Sequence, residues 1–276
     1  LMKLKGSFEN AGLLSSWTSG SSPCKTRWVG VICFDGVVTG LHIHGLGLSG
    51  TINIEALLGL RGLRTVSLVN NSFTGPIPEF NKLGALKSLL LSGNKFSGDV
   101  PSDFFSTMSS LKKVWLSSNS FSGPIPDSLM SMPHLMEIHL EDNQFSGNIP
   151  ALKNPKLITS LNFSGNNLEG QIPASYSKFP ASSFQGNENL CGKPLAVACS
   201  LGYSQDKVAE NDTGKGRTSN VGMIFGLVVV VVIGCFAVAS MYFARRKNAD
   251  HDNFSVLDSE SVRQIEDPPL MSPASN

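Results

Sequence analysis

Three glycines in the stretch HGLGLSG, His44 to Gly50, have the Gly45-x-Gly47-x-x-Gly50 spacing of a loop that cradles a dinucleotide pyrophosphate on backbone N–H groups. That chemistry needs a crossover helix after the loop and an acidic residue about 20 positions on to hold a ribose hydroxyl. Position 70 is Asn70, and the residues between repeat the pattern around the glycines instead of forming a helix. A phosphate cradle is therefore not expected, and no cofactor is. Cysteine is the other candidate for chemistry. Four of the five cysteines form two close pairs, Cys24 with Cys33 and Cys191 with Cys199, a spacing that suits disulfides in an oxidising compartment. A metal site would call for Cys-x-x-Cys hooks or nearby histidines, whereas His42, His44, His134 and His139 are scattered. The net charge of +1 gives no electrostatic reason to expect a nucleic acid.

The elements that position these residues follow from an internal repeat. Asn71, Asn94, Asn119, Asn143 and Asn166 recur at intervals of 23, 25, 24 and 23 residues. The fullest frame is Leu135-x-x-Ile138-x-Leu140-x-x-Asn143-x-Phe145-x-Gly147-x-Ile149-Pro150, and copies run from Leu63, Leu86, Leu111 and Ile158. A degenerate first copy holds Val38, Leu41, Ile43, Leu46, Leu48, Gly50 and Ile52, with Leu46 at the asparagine position. A period near 24 with L-x-x-L-x-L-x-x-N is that of a leucine-rich repeat solenoid, in which each unit buries its apolar side only by stacking on its neighbours. The fold class expected is an α/β-type solenoid of six repeats with one short parallel strand each. Asparagines should bond the turn backbone, with phenylalanines stacked behind them. The glycines of the opening stretch become repeat turns: Gly50 is equivalent to Gly75, Gly98, Gly123, Gly147 and Gly170, and Gly45 to Gly93 and Gly165.

Solenoid ends expose a raw core and need caps. Both cysteine pairs fall there, which predicts bonds Cys24–Cys33 and Cys191–Cys199. The expected organisation is an N-terminal cap over 1–37, repeats over 38–180, a C-terminal cap over 181–200, a polar linker over 201–220, a span over 221–244 and a disordered segment over 245–276. The span rests on Val221–Ala244, 24 residues without a charge, about 36 Å of helix at about 1.5 Å per residue. Arg245, Arg246 and Lys247 follow it and favour a cytoplasmic C-terminal side. Asn70, Asn162 and Asn211 open Asn-x-Ser/Thr sequons on the opposite side, where N-glycosylation occurs. Gly222-x-x-x-Gly226 would let two membrane helices approach closely.

The repeat frame, the head Trp28-x-Gly30-Val31-x-Cys33 and the tail Gly186-Asn187-x-x-Leu190-Cys191-Gly192-x-Pro194-Leu195 resemble the ectodomains of plant leucine-rich repeat receptor-like kinases, in particular those of pollen. The resemblance covers roughly residues 1–247. It implies a single-pass plasma-membrane protein with its N-terminal side extracellular and in contact with bilayer lipid. It further implies an extracellular peptide or protein ligand, and a co-receptor or a second copy engaged through ectodomain and membrane helix. Family members continue into a serine/threonine kinase, but the residues after Ala244 carry none of its motifs, so no catalysis is expected of this chain. A fragment of such a kinase, a kinase-less receptor and an inhibitory binding module all remain open at this point.

Side-chain alternation along each strand places His42, Ser67, Leu90, Trp115, His139 and Asn162 in one column of the concave face. Leu90 and Trp115 interrupt a polar column beside Lys87, Lys112, Lys113, Glu137, Glu141 and Asp142. An aromatic anchor with a charged rim is one reading of this; an indole lying flat to shield the strands is the other. Lys112 and Lys113 are expected to pair across strands with Glu137 and Glu141.

Overall fold

The computed structural model describes residues 1–199; Asn211, Gly222, Gly226, the apolar run and the tail lie outside the described residues. Among the described residues no helix is long and apolar enough to cross a membrane.

Each repeat contributes a three-residue strand whose central side chain points inward. Thr65–Ser67, Ser88–Leu90, Lys113–Trp115, Glu137–His139 and Ser160–Asn162 pair in parallel and in register. Val66, Leu89, Val114, Ile138 and Leu161 thus form one buried row. Val37–His42 extends the sheet in parallel, and Val31–Phe34 of the N-terminal cap closes that side as an antiparallel seventh strand.

The repeats yield a second strand as well, which corrects the expectation of one each. Thr74–Gly75, Lys95–Asp99, Ser120–Pro124, Gln144–Asn148, Asn167–Gln171 and Asn189–Cys191 form a six-stranded parallel sheet on another flank. The extended residues after each asparagine must satisfy their own N–H and C=O groups, and the same segment of the next repeat is at hand to pair with them. The return path holds only short pieces, such as the helices Glu55–Leu58 and Asp127–Met130 and the 3-10 turns Phe80–Lys82 and Ala174–Tyr176.

A column of buried carboxamides joins the repeats. Asn143 donates to Leu140 O of its own repeat (3.1 Å) and to Leu116 O of the preceding one (3.0 Å), while its Oδ1 accepts from Phe121 N (3.0 Å). Asn94, Asn119 and Asn166 repeat this bonding. Asn71 covers for its degenerate neighbour: with Leu46 at the asparagine position, the one Oδ1 accepts from both Leu46 N and Leu48 N, at 3.2 and 3.1 Å. Behind the column, Phe8, Phe73, Phe96, Phe121 and Phe145 follow one another with ring centroids 5.4–6.3 Å apart.

The residue before each asparagine turns the chain through the left-handed region: Gly45, Asn70, Gly93, Ser118, Asp142, Gly165 and, before Asn187, Gly186 have φ between 51° and 72°. Glycine at this place is a response to backbone geometry, and Asn70, Ser118 and Asp142 adopt it without that freedom. A second glycine column, at the end of the lateral strands, serves close approach at some rungs. A Cβ on Gly123 would lie 2.5 Å from Cγ of Asp99, whereas one on Gly98 would meet nothing within 4 Å.

Both ends are closed. At the N-terminus Trp17 and Trp28 stack at 5.5 Å, Trp17 Nε1 donates to Val29 O at 2.9 Å, and the Cys24–Cys33 disulfide holds the hairpin. Phe8 pairs with Gly50 and begins the ring stack. At the other end Phe163, Tyr176, Phe179 and Phe184 cluster, and Tyr176 donates to Pro150 O at 2.6 Å while burial pushes its phenol pKa far up. Residues beyond 180 also add a rung: Asn187 donates to Phe163 O and Phe184 O, and Asn189–Cys191 joins the lateral sheet before the Cys191–Cys199 bond.

Asn143→Ala takes the side-chain acceptor from the Phe121 N–H and leaves the Leu116 and Leu140 carbonyls with only the amides of Asn119 and Asn166, and is expected to cost about 1–3 kcal/mol in urea unfolding. Gly98→Ala should cost about 1–2 kcal/mol for its φ of 81° alone. Gly123→Ala should cost at least about 1 kcal/mol more, because Asp99 must also move. Equal losses for the two glycines would contradict the close-approach role.

Candidate ligand-binding face

The strand register sets the concave surface as rows of side chains. His42, Ser67, Leu90, Trp115, His139 and Asn162 are aligned partners in successive strands. Ser88, Lys113, Glu137 and Ser160 make the neighbouring row. At the entrance to the strands, Lys87 N bonds Arg64 O, Lys112 N bonds Lys87 O and Met136 N bonds Lys112 O, at 2.7–2.8 Å, which lines up a third row.

The indole of Trp115 is half-buried and held in place. Its Nε1 donates to Glu137 Oε2 at 3.2 Å, and its ring meets the His139 ring edge-on at 5.3 Å. The other Glu137 oxygen takes Lys113 Nζ at 2.8 Å, so one carboxylate fixes both a lysine and the indole. His139 is fixed in turn: Ser160 Oγ lies 3.0 Å from Nε2 and Glu141 Oε1 3.5 Å from Nδ1. A proton on Nδ1 suits both neighbours, because Nε2 can then accept from Ser160 Oγ while Nδ1 points its N–H at Glu141. The order Ser160–His139–Glu141 imitates a hydrolytic triad, but the Ser160 N–H is already committed to Met136 O at 3.3 Å and the adjoining N–H groups to the sheet. The arrangement acts as a relay that sets the imidazole plane.

One of the sequence expectations needs correcting. Lys113 pairs with Glu137 as expected, but Glu141 turns to His139 and not to a lysine, because its carboxylate lies on the far side of the Trp115–His139 column. Lys112 stays exposed at the strand entrance. The His42 and His44 rings stack at 5.5 Å. Asn162 occupies the same column as Trp115, with Oδ1 accepting from Ser164 N at 3.1 Å, and Asn70 is exposed at its turn. Sequence reasoning missed an apolar surface at the N-terminal hairpin. Ile32, Phe34 and Val37 are 46, 70 and 51% exposed, and Ile32 packs over Gly40 beside His42 at the end of the concave face. The apolar run Val29–Phe34 carried that signal.

Comparison with known proteins agrees with this architecture. Family models for the leucine rich repeat N-terminal domain match residues 1–34, and models for the leucine rich repeat match 85–145 and 157–179. The crystal structure of a pollen receptor kinase 3 is 49% identical, with a TM-score of 0.65, and the match covers 68% of this chain and 93% of that one. The chain belongs to the plant leucine-rich repeat receptor-like kinases. Pollen receptor-like kinase 2 of Arabidopsis thaliana is 43% identical over 77% of this chain and 33% of its own length, so the match to this receptor-like kinase spans a third of the relative. The Arabidopsis receptor kinase HAESA, solved in complex with the peptide hormone IDA and the co-receptor SERK1, is 27% identical with a TM-score of 0.57, over 69% of this chain and 32% of that one.

The Lys113–Glu137 pair is largely solvated on the lysine side, 44% exposed against 20%. A double-mutant cycle of Lys113→Ala and Glu137→Ala should therefore return a coupling energy below about 1 kcal/mol in thermal or urea unfolding. A larger coupling would make the pair a structural clamp instead of a rim.

Proposed function

We propose that this chain is the ligand-sensing part of a single-pass cell-surface receptor kinase of the pollen type, and that an extracellular peptide or protein binds its concave face around Leu90, Trp115 and His139, with Lys112, Lys113, Glu137 and Glu141 as the rim. The observation that carries this is the held Trp115: an indole whose N–H and edge are both set before any ligand arrives offers apolar area with little left to order on binding. The peptide hormone bound by the HAESA ectodomain supports the same use of this fold. Val221–Ala244 is the proposed span, with the N-terminal side extracellular, and Gly222 and Gly226 offer a close helix approach there. Glycans on Asn70, Asn162 and Asn211 belong to the same topology. One on Asn162 would leave the middle strands as the open surface. The apolar hairpin edge at Ile32, Phe34 and Val37 provides a separate contact for a co-receptor or second copy. In this mechanism ligand binding favours association of ectodomains, which brings the cytoplasmic segments together.

The test is ligand capture by the membrane-embedded chain. Trp115→Ala is expected to weaken binding by at least about 1–2 kcal/mol with an unchanged melting temperature. Glu55→Ala, at a solvated position of a return-path helix, should have no effect. Unchanged affinity in Trp115→Ala would move the site to another face.

A further inference from the structure

The charges of the concave face change sign at one line. Up to the fourth repeat strand those at the strand entrances are basic: Arg64, Lys87, Lys112 and Lys113. In the next repeat the charges are acidic, with Glu137 opening the strand and Glu141 and Asp142 just past its exit. Lys113 and Glu137 face each other across this line and neutralise one another at 2.8 Å, and Arg64 folds back on Arg61 O and Leu63 O. Lys87 and Lys112 are exposed on the entrance side, and half-buried Glu141 adjoins exposed Asp142 on the exit side. The apolar step Leu90–Trp115 lies between them.

From these positions we infer the class of ligand: an extended peptide segment that carries an acidic side chain and a basic side chain on either side of an apolar or aromatic one. The acid lies over Lys87 and Lys112, the apolar group against Leu90 and Trp115, and the base at Glu141 and Asp142. This rests on the concave-face reading and adds the ligand's charge pattern to it. Lys87 and Glu141 belong to repeats two strands apart, about 10 Å at about 4.8 Å per strand, and Glu141 lies five residues along its strand from the Met136 row, about 16 Å at about 3.3 Å per residue, so an extended chain running diagonally spans the roughly 19 Å between them in about six residues. Glu141 supplies a second reason. Its Oε2 is buried and receives no hydrogen bond, while its other oxygen is held only at 3.5 Å from His139. Rotation of the carboxylate toward an arriving ammonium or guanidinium satisfies that oxygen. Like charge on either side of a ligand is selected against, because it would face its own sign over one half of the strip.

The test selects from a random dodecamer phage-display library on the full chain in lipid nanodiscs, in parallel on K87E/K112E and Trp115→Ala, with each variant's melting temperature checked. The expected consensus has an acid and a base about five to seven residues apart with an apolar residue between them. On K87E/K112E the acid should be lost or replaced by a base, with original clones bound about tenfold more weakly. Enrichment that depends on Trp115 but shows no acid–base pairing overturns the inferred pattern and leaves the concave site standing. Enrichment indifferent to Trp115→Ala, or none at all, overturns both.

Discussion

The side-chain amide of one asparagine per turn is the interaction on which the rest depends. A chain that reverses direction every few residues exposes backbone groups at each bend, and strands of three residues cannot satisfy them alone. The carboxamide has two donors and an acceptor in fixed geometry, so it bonds its own turn to the repeat before it. Since each amide needs the repeat before it, register passes from rung to rung with no freedom to slip. The phenylalanine stack fills the space behind, but it is the amides that make the spacing uniform.

Uniform spacing is what turns a structural column into a recognition surface. Every third-strand or fourth-strand side chain on the concave face has its position set by an inward-pointing neighbour that cannot move. The held indole, the shared Glu137 carboxylate and the Ser160–His139–Glu141 relay all follow from that rigidity. Side chains on such a face can be exchanged without disturbing the core, which is how one scaffold carries many specificities.

Much of this was legible in the residues. The asparagine period, the outward column with Trp115 in it and the cysteine pairs at both ends all survive in the structure, because each reflects a local rule of spacing or alternation. The second sheet was not legible: Ser-Gly-rich segments have weak strand propensity and pair only because a copy lies alongside. The left-handed turn at Asn70, Ser118 and Asp142 was hidden because only the glycine copies advertise it. Asn187 was read as part of a cap, since its spacing of 21 from Asn166 falls short of the repeat period, although its amide bonds like the others. The partner of Glu141 depended on side-chain direction across a column, which sequence spacing does not encode.

Site-specific photo-crosslinking of the full chain in its membrane tests the central claim most directly, with a benzophenone amino acid placed at Ser92, beside the concave column, or at Ser146, on the lateral sheet. The account predicts an extracellular peptide or protein captured from position 92 and lost when Trp115 is also replaced. Capture from position 146, with none from 92, would contradict it.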